Sequence, residues 1–234
     1  MTRLHTRRIW LQTVGAASAL GLAGLARADA ALDFERALIQ DNPKTMVDLI
    51  FHGADPNTKD SRGRPGMVAA LHRDSLRVFE VLLQSPGIRL DEVSAQGESA
   101  LMMTAIKGHL ALARKLLERG AAVDKDGWTA LHYAASAALP DSLALVQLLV
   151  RKGAKVDAPS PNGTTPLMMA AQYSSEDVVA QLLKYGADPR AKNQRGWTPV
   201  DFARQASRDY LVETLTQAQK RQPSAAQPAR RPGW

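Results

Sequence analysis

The chain has 234 residues, a formal net charge of +7 and no cysteine. The lack of cysteine excludes a disulfide framework and any thiolate metal site. The positive charge does not mark a nucleic-acid binder. Of 30 lysines and arginines, eight lie in 1–28 and 220–234, which hold no acid, so the body keeps 22 against 23 acidic residues. A neutral body carries no electrostatic footprint for phosphate.

Residues 1–28 read as an export signal. A basic start is followed by an apolar run from Ile9 to Ala26, rich in Ala, Gly and Leu, and then by Ala26-Arg27-Ala28, an A-x-A cleavage pattern. Cleavage between Ala28 and Asp29 is expected. The pair Arg7-Arg8, ahead of Ile9-Trp10-Leu11-Gln12, resembles a bacterial twin-arginine signal. Gly15, Gly21 and Gly24 keep the apolar run weakly hydrophobic, and Arg27 stands just before the cut, both in keeping with that route. The alternative is a retained anchor, since eighteen residues approach the length of a membrane span. The A-x-A end and the glycines favour cleavage. No other stretch is long and apolar enough to cross a bilayer, so no stable span is expected in the mature chain.

From residue 29 a period of 33 takes over. Pairs of large aliphatics recur at Leu49-Ile50, Leu82-Leu83, Leu116-Leu117, Leu149-Val150 and Leu182-Leu183. A glycine follows each, at Gly53, Gly87, Gly120, Gly153 and Gly186. Upstream in each unit lies a second signature, clearest as Gly-Trp-Thr-Ala-Leu-His-Tyr-Ala-Ala at 127–135 and Gly-Thr-Thr-Pro-Leu-Met-Met-Ala-Ala at 163–171, with weaker copies from Gly63, Gly97 and Gly196. Thr before Pro, as in Thr165-Pro166 and Thr198-Pro199, starts a helix: the hydroxyl caps it and Pro is tolerated in the first turn. The terminal glycine adopts the left-handed conformation that ends a helix. Leu131 and Leu167, with Phe34 and Met67 in their place elsewhere, face the core. Met102, Met103, Met168 and Met169 also read as core.

These motifs resemble the ankyrin repeat, and the resemblance covers nearly all of 30–219. It implies an all-α solenoid of about six helix-turn-helix units joined by hairpin-like fingers, spanning 29–219, with degenerate terminal units. The tail 220–234, poor in apolar residues and rich in Ala, Gln, Pro and Arg, is expected to be disordered. Two departures stand out. The finger ending at Gly127 is three residues short, offset by a longer helix connection through Pro140. In unit two Pro65-Gly66 replaces Thr-Pro, so that helix should start less firmly.

Nothing in the pattern calls for catalysis, a metal or a cofactor. His132 occupies a signature position and His109 a helix start, both framework sites in the family. His52 and His72 have no metal-ligand companion, and no nucleophile motif appears. Asp55, Asp60 and Asp188 read as turn residues. The resemblance implies a non-enzymatic, monomeric protein-binding module acting through its fingers and the groove side of its first helices. Carried onto this chain, the partner-binding set is Arg62, Arg64, Arg73, Gln96, Glu98, Lys107, Trp128, Tyr173, Arg195 and Trp197, with Ile106 and Ser136 on the same side. Trp128 and Trp197 serve framework and contact readings equally. The basic set in unit two points to an acidic patch on the partner. The expected role is a periplasmic adaptor or accessory factor for another protein. The alternative is an inhibitor or immunity protein that neutralises a toxin or enzyme.

Overall fold

The computed structural model describes residues 29–221. The arginine pair, the cleavage site before Asp29 and residues 222–234 therefore lie outside the described residues, except for Asp29 itself. The described chain is all-α and divides into two compact units. The N-terminal unit takes in residues 29–89 and 93–95, and the C-terminal unit residues 90–92 and 96–221.

The N-terminal unit holds α1 (29–39), α2 (Pro43–Phe51), α3 (Gly66–His72) and α4 (Leu76–Gln84). Asn42 caps α2 by accepting from the Thr45 amide at 3.1 Å, and Pro43 fills the first helical position. Asp41 turns the chain between α1 and α2 at a φ of 45°, a left-handed conformation that Asp tolerates better than most residues. Its carboxylate also accepts from the Val78 amide at 2.9 Å, so one aspartate closes one helix pair and caps the start of the next. Phe34, Met67, Phe79 and Leu82 are buried. Helix α3 begins without a side-chain cap, as the missing Thr-Pro implied. Gly66 has a packing reason for being there: a Cβ would come within 2.8 Å of the Phe34 ring.

The C-terminal unit holds α5 (Ala100–Lys107), α6 (Leu110–Glu118), α7 (Ala130–Ser136), α8 (Ser142–Arg151), α9 (Pro166–Tyr173), α10 (Glu176–Lys184), α11 (Pro199–Gln205) and α12 (Asp209–Arg221). The first helices α5, α7, α9 and α11 pack side by side in that order, and α6, α8 and α10 form a second row behind them. Small residues allow the close approach: Ala134, Ala135, Ala170, Ala171 and Ala203 are all fully buried. Thr165 caps α9 through the Met168 amide, and Thr198 engages the Asp201 carboxylate at the start of α11. At the other end of a repeat, Gly186 sits at a φ of 89°, and the Ala187 amide reaches back to the Leu182 carbonyl at 3.0 Å, closing the helix.

The long connection in unit four runs from Ala137 to Asp141, as expected from Pro140. Ser142 secures it, donating to the Ala137 carbonyl at 2.6 Å and accepting from the Leu139 amide. Leu139 rests against Gly108, whose φ of 76° ends α5, and a Cβ there would lie 3.0 Å from the Leu139 side chain. The last helix runs to Arg221, past the boundary expected at 219, because Gln219 is tied down: its amide donates to the Pro189 carbonyl at 2.8 Å and its carbonyl accepts from Arg190.

Candidate partner-binding site

The fingers are built by one repeated turn. Residues 60–64, 160–164 and 193–197 each close with a backbone bond in which the amide of the first residue donates to the carbonyl of the fifth, Asp60 to Arg64, Ser160 to Thr164 and Asn193 to Trp197, while the amide of the intervening glycine donates back to the carbonyl of the first. The first residue of each turn is Asp60, Ser160 or Asn193, and its side chain accepts from the amide four residues on at 2.9–3.0 Å. These residue types suit the position because a short polar side chain satisfies amides that the turn leaves without a backbone partner. In the short finger before Trp128 the Lys125 ammonium donates instead to the Asp126 carbonyl at 2.9 Å.

The basic set of the N-terminal unit is largely neutralised inside the unit. Arg64 is buried, and its guanidinium donates to Asp60 Oδ2 through Nε at 2.9 Å and Nη2 at 2.6 Å. Burial by itself raises the Asp60 pKa, but the hydrogen bonds and charge of Arg64, helped by the Arg62 amide, outweigh it and hold the carboxyl below its ordinary 3.8. Arg73 lies half-buried, 3.0 Å from Glu35 and 3.5 Å from Asp60. Glu35 also takes the Ser61 hydroxyl at 2.6 Å. Arg64 is therefore a framework residue and not a partner contact, and Arg73 is engaged within the unit. Arg62 alone of the three is exposed. The expectation of a broadly basic surface facing an acidic partner does not survive these pairs.

In the C-terminal unit the groove side is apolar. Ile106, Trp128, His132, Tyr133, Ser136 and Met169 converge on a cavity of about 200 Å³. Helix geometry explains the convergence. Tyr133 and Ser136 stand three apart on α7, and Met169 points the same way from α9. Met168 is buried as expected of core, whereas Met169 is half-exposed and lines the cavity. Tyr173, four residues beyond Met169 on the same face of α9, is 51% exposed and extends the apolar surface. Burial, with the negative charge of Glu98, pushes the Tyr133 phenol above its ordinary value. Glu98 is half-buried. Gln96 is exposed, and Lys107 is half-buried with an interaction of its own.

The two tryptophans combine framework and contact roles. Trp128 packs edge-on against His132 with ring centres 5.2 Å apart, and its remaining surface faces the cavity. Trp197 packs in the same way on Phe202 at 5.8 Å, with the exposed Arg195 guanidinium 5.9 Å from its ring centre. His132 is fully buried. Its Nδ1 accepts from the Thr129 amide at 3.2 Å, so Nε2 carries the proton and donates to the Thr164 carbonyl at 3.0 Å. Burial lowers its pKa below the ordinary 6.5, against the pull of the Thr164 carbonyl. Protons then bind the unfolded chain more readily than the folded one between the depressed value and 6.5, so stability is lost as pH falls through that window. The denaturation midpoint should drop as pH falls below 6.5, and His132→Gln should flatten that part of the profile. An unchanged slope in the variant would assign it elsewhere.

Two contributors carried no sequence signal strong enough to single them out. Tyr133 lies next to the signature His132, and only the α7 face on which it emerges brings it to the cavity. Arg208 lies outside any motif, yet its guanidinium caps the end of α9, donating to the carbonyls of Ala170 at 3.2 Å, Ala171 at 3.3 Å and Ser174.

This arrangement of helix pairs and fingers has its counterpart among known proteins. The sequence matches the family described as "Ankyrin repeats (3 copies)" in three overlapping stretches, 35–121, 66–160 and 136–224. The chain belongs to the ankyrin-repeat family. It is similar to mouse "Ankyrin repeat and SAM domain-containing protein 6", 31% identical over 83 residues, which are 34% of this chain and 9% of that protein. It is also similar to "Neurogenic locus notch homolog protein 1" of Xenopus tropicalis and of Xenopus laevis, 32% identical over 91 residues in each case, or 38% of this chain and 4% of theirs. The chain thus spans less than a tenth of the length of these relatives. Ankyrin repeats are in general protein-interaction modules rather than enzymes. Among the described residues no helix is long and apolar enough to cross a membrane.

Proposed function

We propose that this protein is an exported adaptor or accessory factor that holds a partner protein through the groove side of its C-terminal unit. The observation that carries the reading is the cavity between Ile106, Trp128, Tyr133 and Met169. A volume of about 200 Å³ accommodates one large apolar side chain. Aromatic and Met-lined pockets with a polar rim are where binding energy concentrates. Tyr173, Arg195 and Trp197 lie on later repeats. The partner therefore presents a protruding apolar residue rather than an acidic patch.

Affinity capture with the mature protein as bait identifies the partner. Trp128→Ala combined with Tyr173→Ala should weaken capture at least about tenfold, equivalent to roughly 1.4 kcal/mol. The helical circular dichroism signal should stay unchanged. Arg62→Glu should have a smaller effect, because Arg62 lies in the other unit and on its exposed surface. Equal capture by the aromatic double variant would remove the groove as the site. A captured toxin or enzyme whose activity the protein suppresses would make the role inhibitory.

Export through the twin-arginine route is the second half of the reading, supported by Arg7-Arg8 and the weakly hydrophobic run behind them. Arg7→Lys with Arg8→Lys should trap a precursor in the cytoplasm, visible on a gel as a band larger by the uncleaved segment. Undiminished export of that variant would assign the signal to the general route.

A further inference from the structure

The cavity of the C-terminal unit is rich in donors and poor in acceptors. The Tyr133 hydroxyl and the Trp128 indole N–H both belong to half-buried side chains that line it, and among the described residues neither group donates to an acceptor. The other polar groups there are already engaged. Ser136 gives its proton to the Tyr133 carbonyl at 2.9 Å, and His132 is bound through both ring nitrogens, to Thr129 and to the Thr164 carbonyl. Ile106 and Met169 complete the wall with a hydrocarbon and a thioether, a weak acceptor at best.

A purely hydrocarbon occupant would strip water from these donors and return nothing, which costs more than an ordinary hydrogen bond contributes. The occupant therefore brings an acceptor beside its apolar group. Tyr133 also sets the charge of that acceptor. Burial and the negative charge of Glu98 keep the phenol protonated beyond its usual range, so it acts as a donor, and the same charge opposes a carboxylate. A main-chain carbonyl meets both demands. It is neutral, and it stands on the same residue as the side chain that enters the cavity. Within a helix that carbonyl is already bonded to the amide four residues on, whereas an extended segment leaves it free.

We propose that the cavity takes an extended segment of the partner, with one large apolar side chain between Ile106, Trp128 and Met169 and that residue's own carbonyl accepting from the Tyr133 hydroxyl. Tyr133 is then the residue that sets specificity. It favours an extended segment over a helix that presents the same side chain, and a neutral acceptor over an acidic one. The inference rests on the reading of this cavity as the partner-binding site and adds the chemistry of what enters it.

Three small probes separate the apolar contact from the hydrogen bond. Toluene carries the phenylalanine side chain alone, N-acetyl-phenylalanine amide adds neutral peptide carbonyls, and N-acetyl-phenylalanine replaces the residue's own carbonyl by a carboxylate. Binding to the full chain is followed through the indole N–H resonance of Trp128, assigned by its loss in Trp128→Phe. Toluene and the amide should both shift it. Tyr133→Phe should weaken the amide about two- to tenfold, the scale of one net hydrogen bond, and should leave toluene unchanged, which also shows the cavity to be intact. The carboxylate should bind more weakly than the amide. An amide affinity indifferent to Tyr133→Phe, a loss shared equally by toluene, or a carboxylate that binds as tightly as the amide would overturn the inference while leaving the cavity as a binding site. Failure of all three probes to move the Trp128 resonance would remove the cavity itself as a site, and this inference with it.

Discussion

Asp60→Ala should destabilise the N-terminal unit by roughly 3–5 kcal/mol, the range for breaking a buried ion pair by removing one partner. The size follows from what the carboxylate does. It accepts four hydrogen bonds, from the amides of Arg62 and Arg64 and from Nε and Nη2 of Arg64, while its side chain is fully buried. Its loss leaves the buried guanidinium without its counter-charge and two turn amides without an acceptor. Arg64→Ala should cost less, because Asp60 keeps both amides and the Arg73 guanidinium 3.5 Å away. Asp60→Asn should fall between, retaining an acceptor for the amides and losing the charge. Urea denaturation followed by circular dichroism gives the order, and an Arg64 variant weaker than the Asp60 variant would reverse the assignment of roles. Acid should act in the same direction. The folded pKa lies below the ordinary 3.8, so the stabilisation is present above 3.8 and is lost as pH falls through the folded value.

The same pair shows where reading the sequence stops. Repeats are legible because their determinants are local and recur: aliphatic pairs, terminal glycines and Thr-Pro starts each act on their own helix. Phe34, Met67, Leu131 and Leu167 all occupy the buried positions that the period assigns them. The exposure of a charged residue is not local in this sense. Arg64 looks like a free finger cation until the turn folds residue 60 back upon it, and Arg73 until Glu35 arrives from 38 positions away. Met168 and Met169 show the same limit at finer scale. Adjacent and chemically identical, they part on either side of α9, one into the core and one into the cavity. The exposed Leu32, Ile39, Val47 and Phe51 show a related limit: they keep helical spacing, and spacing alone does not distinguish a helix face that has a neighbour from one that lacks it.

Leu167→Ala should cost roughly 2–5 kcal/mol, the range for truncating a buried Leu and leaving a cavity. Leu167 is fully buried in α9, which packs between α7 and α11, so neither flank can relax into the space without disturbing a neighbour. The loss should fall near the upper part of the range for that reason. Two tryptophans report on it, since Trp128 and Trp197 stand at the starts of the flanking helices α7 and α11, each held edge-on to a buried or nearly buried ring. Their fluorescence should shift to a lower denaturant midpoint in Leu167→Ala. In a repeat protein, stability is a sum of repeat and nearest-neighbour terms, so the readout also distinguishes how far the loss spreads. If the described units unfold together, Asp60→Ala moves the tryptophan transition as well. If they unfold separately, Asp60→Ala moves only part of the circular dichroism transition, and Leu167→Ala moves the tryptophan signal and the remaining part. A Leu167→Ala variant with an unshifted tryptophan midpoint would show that the centre of the C-terminal unit is not what limits its stability.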